Sequence, residues 1–174
     1  MVIGTQTWMA ENLNYAVDGS FCYDNSESNC TLYGRLYIWA AVMGVASTYN
    51  SVTLGDSVNH QGICPDGWHV PRSSEWTTLE NYVGGSGSAG TYLKATSGWY
   101  DAGNGTDAYG FSALPGGGYN GSVFYYVGYY GYWWTATEYS STSAYGRSMY
   151  YYSTYVGTSY DDKTYGRSLR CLQD

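Results

Sequence analysis

The sequence predicts one α+β domain spanning residues 1–174: two helices early, then a run of short antiparallel strands set apart by glycine-rich turns. Three observations predict it. Helical spacing of apolar residues occurs in two stretches, 32–44 and 73–83, both in the first half. After Thr91 the text breaks into short β-type runs bounded by Gly, Ser and Asn. The tyrosines that crowd this second half follow no fixed period, which excludes a solenoid or a propeller.

Taken in order, Val2 to Tyr15 alternates loosely and reads as one or two strands ending at Asn12-Leu13-Asn14, and Gly19 to Thr31 reads as a polar loop flanked by cysteines. Leu36, Trp39, Ala40 and Met43 predict a helix over 32–44 that Gly44 stops. Residues 46–62 read as a loop rich in Ser, Asn and Gly. The second helix follows Pro71, with Ser73 and Ser74 as N-cap candidates and Glu75 in the first turn, where the macrodipole favours it. Trp76, Leu79, Tyr82 and Val83 mark its apolar face and Gly84-Gly85 its end. Gly84 to Gly90 reads as a flexible linker, and no helix is expected after Thr91. Strands are expected at Val123–Val127, Tyr132–Thr137, Ser148–Tyr152 and Ser168–Leu172.

Composition narrows the function. Charged residues are only 12% of the 174 while aromatics are 19%, which excludes disorder and a coiled coil. A net charge of -7, with Lys and Arg scattered, argues against nucleic acid as a partner. Apolar runs are too short for a transmembrane helix, so no direct membrane insertion is expected. The opening Val-Ile-Gly-Thr-Gln-Thr-Trp reads like the middle of a domain, so a leader and further domains are expected in a larger surface protein.

Cys22, Cys30, Cys64 and Cys171 form no CxxC, and with His60 and His69 they complete no zinc spacing. In a lysine-poor, tyrosine-rich chain they point to an oxidising compartment, extracellular or at a bacterial cell surface. Four cysteines allow three pairings. Cys22–Cys30 with Cys64–Cys171 is favoured, and buried free thiols are the alternative. A loop as long as the second would contribute about 4 kcal/mol in the chain-entropy model.

The tyrosines carry the functional expectation. More than half of the 23 lie after Gly118, interleaved with Gly, Ser, Thr, Ala and Asn. A core does not need that many phenols, since each buried hydroxyl demands a partner. A recognition surface does, because Tyr offers large, rigid, amphipathic contact, as in antibody paratopes. The expected ligand-binding residues are Tyr119, Asn120, Tyr125, Tyr126, Tyr129, Tyr130, Tyr139, Tyr145, Tyr150, Tyr152, Tyr155 and Tyr160. In the strand around Met149, that methionine faces the core, so Tyr150 and Tyr152 point outward. Of the adjacent Trp133 and Trp134, one is expected in the core; Trp8, Trp39, Trp68, Trp76 and Trp99 read as core or near-core. Cross-strand aromatic ladders that merely stabilise a sheet are the alternative.

Other chemistry is thinly signalled. Asp101, Asn104 and Asp107 in DAGNGTD could wrap calcium, although the distal glutamate of an EF-hand is missing and an Asx-rich turn is the plainer reading. No other cofactor is expected. Asp161-Asp162, Glu75 and Glu80 make no convincing acid–base pair, His69 reads as structural, and no nucleotide-binding fingerprint occurs. The chain is not expected to be an enzyme.

Six phrases, read together, carry a resemblance: IGTQTWMAENLNY (3–15), CYDNSESNCTLYGRLYIWAAVMG (22–44), CPDGWHVPRSSEW (64–76), YGFSALPGGGYNG (109–121), YWWTATE (132–138) and GRSLRC (166–171). In this order they resemble the Fibrobacter succinogenes major paralogous domain family. Within them GWHVPRSSEW is similar to the G-[YW]-R-L-P-x-x-x-E-W signature of formylglycine-generating-enzyme-type domains. The resemblance implies a C-type-lectin-like fold with two helices, small twisted antiparallel sheets, long loops and adjoining chain ends. It also implies a secreted or surface-displayed context and, in this fold, kinship with variable proteins of diversity-generating retroelements. The formylglycine-generating activity needs two reactive cysteines late in the chain, where only Cys171 stands. The sugar-coordinating triplets of calcium-dependent lectins are absent too. The expectation is a module that binds a protein or glycan through its tyrosine-rich C-terminal face. A carbohydrate-binding module and an assembly domain of a larger surface protein are the alternatives.

Overall fold

The computed structural model describes residues 1–55 and 60–174. Its elements are β1 (Val2–Ile3), β2 (Gln6–Thr7), β3 (Ser20–Phe21), α1 (Glu27–Tyr33), β4 (Leu36–Tyr37), α2 (Trp39–Val42), β5 (Trp68–His69), α3 (Ser73–Tyr82), α4 (Ser86–Leu93), β6 (Gly116–Tyr119), β7 (Phe124–Val127), β8 (Tyr130–Glu138), β9 (Ser143–Tyr150), β10 (Val156–Asp162) and β11 (Leu172–Gln173). The α+β order is as expected, with four helices among the described residues instead of two.

The early helix is displaced and broken. Residues 19–31, expected as loop, begin α1, which ends at Gly34. There the backbone turns at φ 78, and a Cβ would lie 2.7 Å from that of Asn12. Only glycine fits such a site without strain. The apolar residues expected on one long helix instead divide between β4 and the single turn α2. The second helix stands at Ser73–Tyr82, but its N-cap is Arg72 rather than Ser73 or Ser74. The Arg72 N–H donates to the Glu75 carboxylate at 2.7 Å. The supposed linker 84–90 contains the start of α4, so helix continues past Thr91 to Leu93. The expected loop 46–62 holds a 3-10 turn, Ser47–Asn50, and its residues 56–59 lie outside the described ones.

The main sheet has the strand order β10-β9-β8-β6-β7. Strands β8, β9 and β10 form an antiparallel meander, while β6 meets β8 in parallel where Gly117 faces Gly131. At Gly131 a Cβ would stand 2.8 Å from the Leu114 carbonyl, so a glycine is what lets the chains approach. The last predicted strand contracts to β11, preceded by single bridges such as Trp133 to Ser168.

Both faces of this sheet are covered, and the Trp133–Trp134 pair is the reason. On one face Trp133, Met149 and Val156 pack with Trp76 and Leu79 of α3, its C-cap Val83, Leu93 of α4, Trp8 and Phe111. On the other, Trp134 and Ala144 pack with Tyr37, Trp39, Val42, Val70 and Leu169. Successive strand residues point to opposite faces, so one dipeptide supplies an indole to each core. Both tryptophans are fully buried, where one alone was expected to be. Their indole N–H groups are satisfied, Trp133 by Asn12 Oδ1 and Trp134 by the Tyr37 carbonyl, each at 2.8 Å.

The chain ends meet. β11 pairs with β5, Trp8 bridges to Leu172, and the Cys64–Cys171 disulfide closes the same corner; Cys22–Cys30 ties α1 to the turn before it. Both favoured pairings form, and the described residues hold no free cysteine. No helix among them is long and apolar enough to cross a membrane.

Candidate functional site

Of the 23 tyrosines, Tyr23 and Tyr37 alone are buried. The sheet sorts most of those after Gly118. In β8 and β9 the alternation Tyr130, Tyr132 opposite Tyr150, Ser148 puts these rings on the face opposite α3, beyond the edge of the second core. Tyr130 contacts Tyr150 at 4.7 Å between ring centroids, and Tyr150 stacks on Tyr152 at 5.6 Å. Tyr126 reaches Tyr130 at 4.5 Å, and Tyr125 reaches Tyr132 at 6.2 Å. Through Tyr151 the chain of contacts runs on to Tyr129, which stacks on Tyr100 at 4.4 Å. Nine phenols thus form one continuous network: 100, 125, 126, 129, 130, 132, 150, 151 and 152.

Arg167 is the floor of this network. Its guanidinium lies 4.5 Å from the Tyr132 ring centroid and 5.6 Å from that of Tyr125, and its Nε donates to Asp161 at 3.1 Å. Burial pushes this guanidinium down, but Asp161 and Tyr125 outweigh that and hold it above its ordinary value. Burial raises the Tyr125 and Tyr132 phenols, with Arg167 pulling the other way, so both rings stay neutral. A fixed cation under aromatic faces locks them in place.

One ring sits on strained backbone. Tyr126 has φ 63, in the left-handed region that a bulky side chain rarely occupies. Its carbonyl accepts from the Tyr129 N–H at 3.0 Å, which closes the turn between β7 and β8. The ring is 52% exposed and, with Asn120, Val123, Tyr125 and Tyr165, lines a cleft of about 320 Å³. Strain of this kind persists where surrounding structure imposes it, and functional surfaces are where it concentrates.

The expected residues therefore do not share one face. Tyr125, Tyr126, Tyr129, Tyr130, Tyr150 and Tyr152 belong to the network. Tyr145 and Tyr160 are a direct cross-strand pair on the face that carries Arg147 and Met149. Tyr139 stacks on Tyr160 at 4.4 Å and meets Tyr145 edge-on, making a second, smaller cluster. Tyr155 is exposed on the turn before β10. Tyr119 lies apart, packed between Phe21 and Phe124, and acts as a strut. Asn120 is a turn former whose Oδ1 accepts from the Ser122 and Val123 amides. Tyr132, Tyr151 and Tyr100, not among the expected site residues, complete the network; parity with Tyr130 and Tyr150 identifies the first. The tryptophans stay inside, Trp68 being the one that is half-buried.

The other candidates make these contacts. Asp107 accepts from the Ser112 amide and hydroxyl, and Asn104 Oδ1 from the Trp99 amide, while Asp101 is exposed. Each of those bonds joins residues five apart in the chain. Nearly buried His69 lies between Asp174, 2.7 Å from Nδ1, and Glu75, 3.0 Å from Nε2. It joins the C-terminus to the α3 cap. A separate cleft of about 480 Å³ between α1 and residues 10–14 has buried Arg170 at its base, its N–H groups given to the Phe111 carbonyl and to Asn12 Oδ1.

The charges follow a second pattern. Lys94, Arg147, Lys163, Arg167 and Arg170 are buried; Arg35 and Arg72 are half-buried. No Lys or Arg is exposed, whereas Glu11, Asp18, Asp24, Glu27, Asp66, Asp101, Asp162 and Asp174 are. Fixed charge at the described surface is therefore almost all negative, and the tyrosine network carries none.

Over residues 1–173 the chain matches the family described as Fibrobacter succinogenes major domain, and it belongs to that family. No curated protein and no solved structure matches it.

Proposed function

We propose that this member of the Fibrobacter succinogenes major domain family is a ligand-binding module that recognises a macromolecule through the nine-tyrosine network, at a cell surface or after secretion. The observation that carries the reading is the contrast between rings. The indoles are spent on two cores, while an uncharged, contiguous sheet of phenols stays accessible. Such a surface buries apolar area around rigid anchors, and its hydroxyls fix orientation. Two disulfides support an oxidising location. Binding rather than catalysis is favoured because all four cysteines are consumed in those bonds and His69 is engaged by two carboxylates.

A protein ligand is favoured over a glycan, since no exposed indole offers a sugar-stacking plane. Retroelement diversification fits the same layout: the Tyr positions of β7, β8 and β9 that avoid the cores are free to vary. A near-copy of the encoding DNA, differing at adenines and lying beside a reverse transcriptase gene, is the expected sign.

The test screens the chain on protein and glycan arrays beside two double variants. Tyr126→Ser with Tyr152→Ser removes two network anchors; Tyr139→Ser with Tyr160→Ser alters the opposite face. Protein hits lost in the first pair and kept in the second are expected. Hits that survive the first pair overturn the assignment.

A further inference from the structure

The outer edge of the sheet is a second interaction surface, independent of the tyrosine network. β10 is the edge strand, and its sequence from Val156 to Asp162, VGTSYDD, contains no lysine, proline or bulge of the kind that normally blunts an edge. The phase of the β9–β10 ladder shows which backbone groups are free. The Lys163 N–H donates to the Thr142 carbonyl at 2.9 Å, so Gly157, Ser159 and Asp161 turn their amides and carbonyls toward β9. Thr158 and Tyr160 turn theirs outward, and both residues are exposed, Tyr160 by 60%.

The free stretch is bounded on both sides. The Asp162 carbonyl is taken by the Tyr165 amide at 2.9 Å, and the Thr154 carbonyl by the Gly90 amide at 2.8 Å. Between these limits the open groups are symmetric about Ser159. We infer that β10 pairs antiparallel with β10 of a second copy of this chain, about a two-fold axis through Ser159. Thr158 then exchanges both main-chain bonds with Tyr160 of the second copy, and Tyr160 with its Thr158.

Charge favours this register. Asp161 falls opposite Gly157 of the second copy and Asp162 opposite its Val156, so the carboxylates of the two edges do not face each other. The Tyr139–Tyr160 stacks of the two copies come together on one face. Tyr130, Tyr132 and Tyr150 of both copies lie on the other face and point the same way, which makes the assembly bivalent for whatever they bind.

Sedimentation of the chain across a micromolar to millimolar series tests the inference, together with two variants. A concentration-dependent dimer is expected, strengthened by salt because each copy is acidic. Thr158→Pro deletes an outward amide without touching the β9 ladder, so this variant is expected to stay monomeric with thermal unfolding unchanged. Ser159→Cys places two thiols across the axis, where facing Cα atoms of a non-hydrogen-bonded pair are about 4.5 Å apart. It is expected to form a disulfide-linked dimer, and Asp162→Cys none. The cysteine variants read the register even if Thr158→Pro fails to fold. A chain that stays monomeric throughout the series overturns the inference, as does a dimer insensitive to Thr158→Pro, or a monomer that captures an added strand-forming peptide instead.

Discussion

Arg147 Nε lies 2.6 Å from Glu80 Oε1, and both side chains are buried where β9 crosses α3. The remaining guanidinium N–H groups go to the Ser73 carbonyl and hydroxyl, to Thr77 and to the Gly146 carbonyl. Burial raises the Glu80 carboxyl, against the pull of Arg147. Removing one partner of such a pair leaves a desolvated charge with no counterpart, at a cost of about 3–5 kcal/mol. Glu80→Ala is therefore expected to lower stability by that amount in urea unfolding, and Glu80→Gln, which keeps an acceptor for Nε, by clearly less.

The two cores hang on adjacent residues of one strand. Trp133→Ala and Trp134→Ala each open a cavity and remove one indole hydrogen bond, and each is expected to cost about 3–5 kcal/mol. A near-neutral effect at either position in calorimetry would contradict the two-sided burial of the sheet.

Stability should fall in acid through Glu138. Burial alone would raise its carboxyl, but Lys163 and the Leu54 and Gly55 amides outweigh it and hold it below the ordinary 4.5. A carboxyl lowered on folding adds stability that is fully present above its unfolded value and is lost as pH falls through the folded one. The difference in unfolding free energy between the parent chain and Glu138→Gln is thus expected to be largest near neutrality and to shrink below pH 4.5.

Tyr126 trades stability for display. Asn tolerates the left-handed region better than Tyr, so Tyr126→Asn is expected to leave stability equal or up to about 1 kcal/mol higher while weakening binding. Tyr130→Asn, which keeps extended backbone but loses contacts to Tyr126, Tyr132 and Tyr150, should lower stability. Thermal unfolding of both variants separates strain from packing.

Much of this was readable beforehand, for physical reasons that differ by element. α3 announces itself because Glu75, Trp76, Leu79 and Val83 stand at cap and core positions of one helix. α1 does not: ESNCTLY has no apolar stripe, and its order derives from the Cys22–Cys30 bond and from Asn29 donating to the Tyr23 carbonyl. β10 was missed because VGTSYDD lacks buried alternation; it exists by pairing with β9. Parity placed Tyr150 outside and Met149 inside. It could not relate Tyr139 to Tyr130, because the ladder is irregular between Trp134 and Glu138. Nothing in the text distinguishes Lys94 or Lys163 from surface lysines, since what buries them is distant in sequence: four carbonyls for Lys94, and Glu138, Trp39 and three carbonyls for Lys163.

The withdrawal of every cation from the surface has a practical corollary. Trypsin needs an accessible Lys or Arg on a segment that can be drawn into its cleft, and here five are inside and Arg35 and Arg72 are half-covered. The folded domain should survive digestion that would destroy an ordinary protein of its size. Amine-coupling reagents will find Lys94 and Lys163 closed to them, so the exposed carboxylates are the better handle for attachment to a sensor surface.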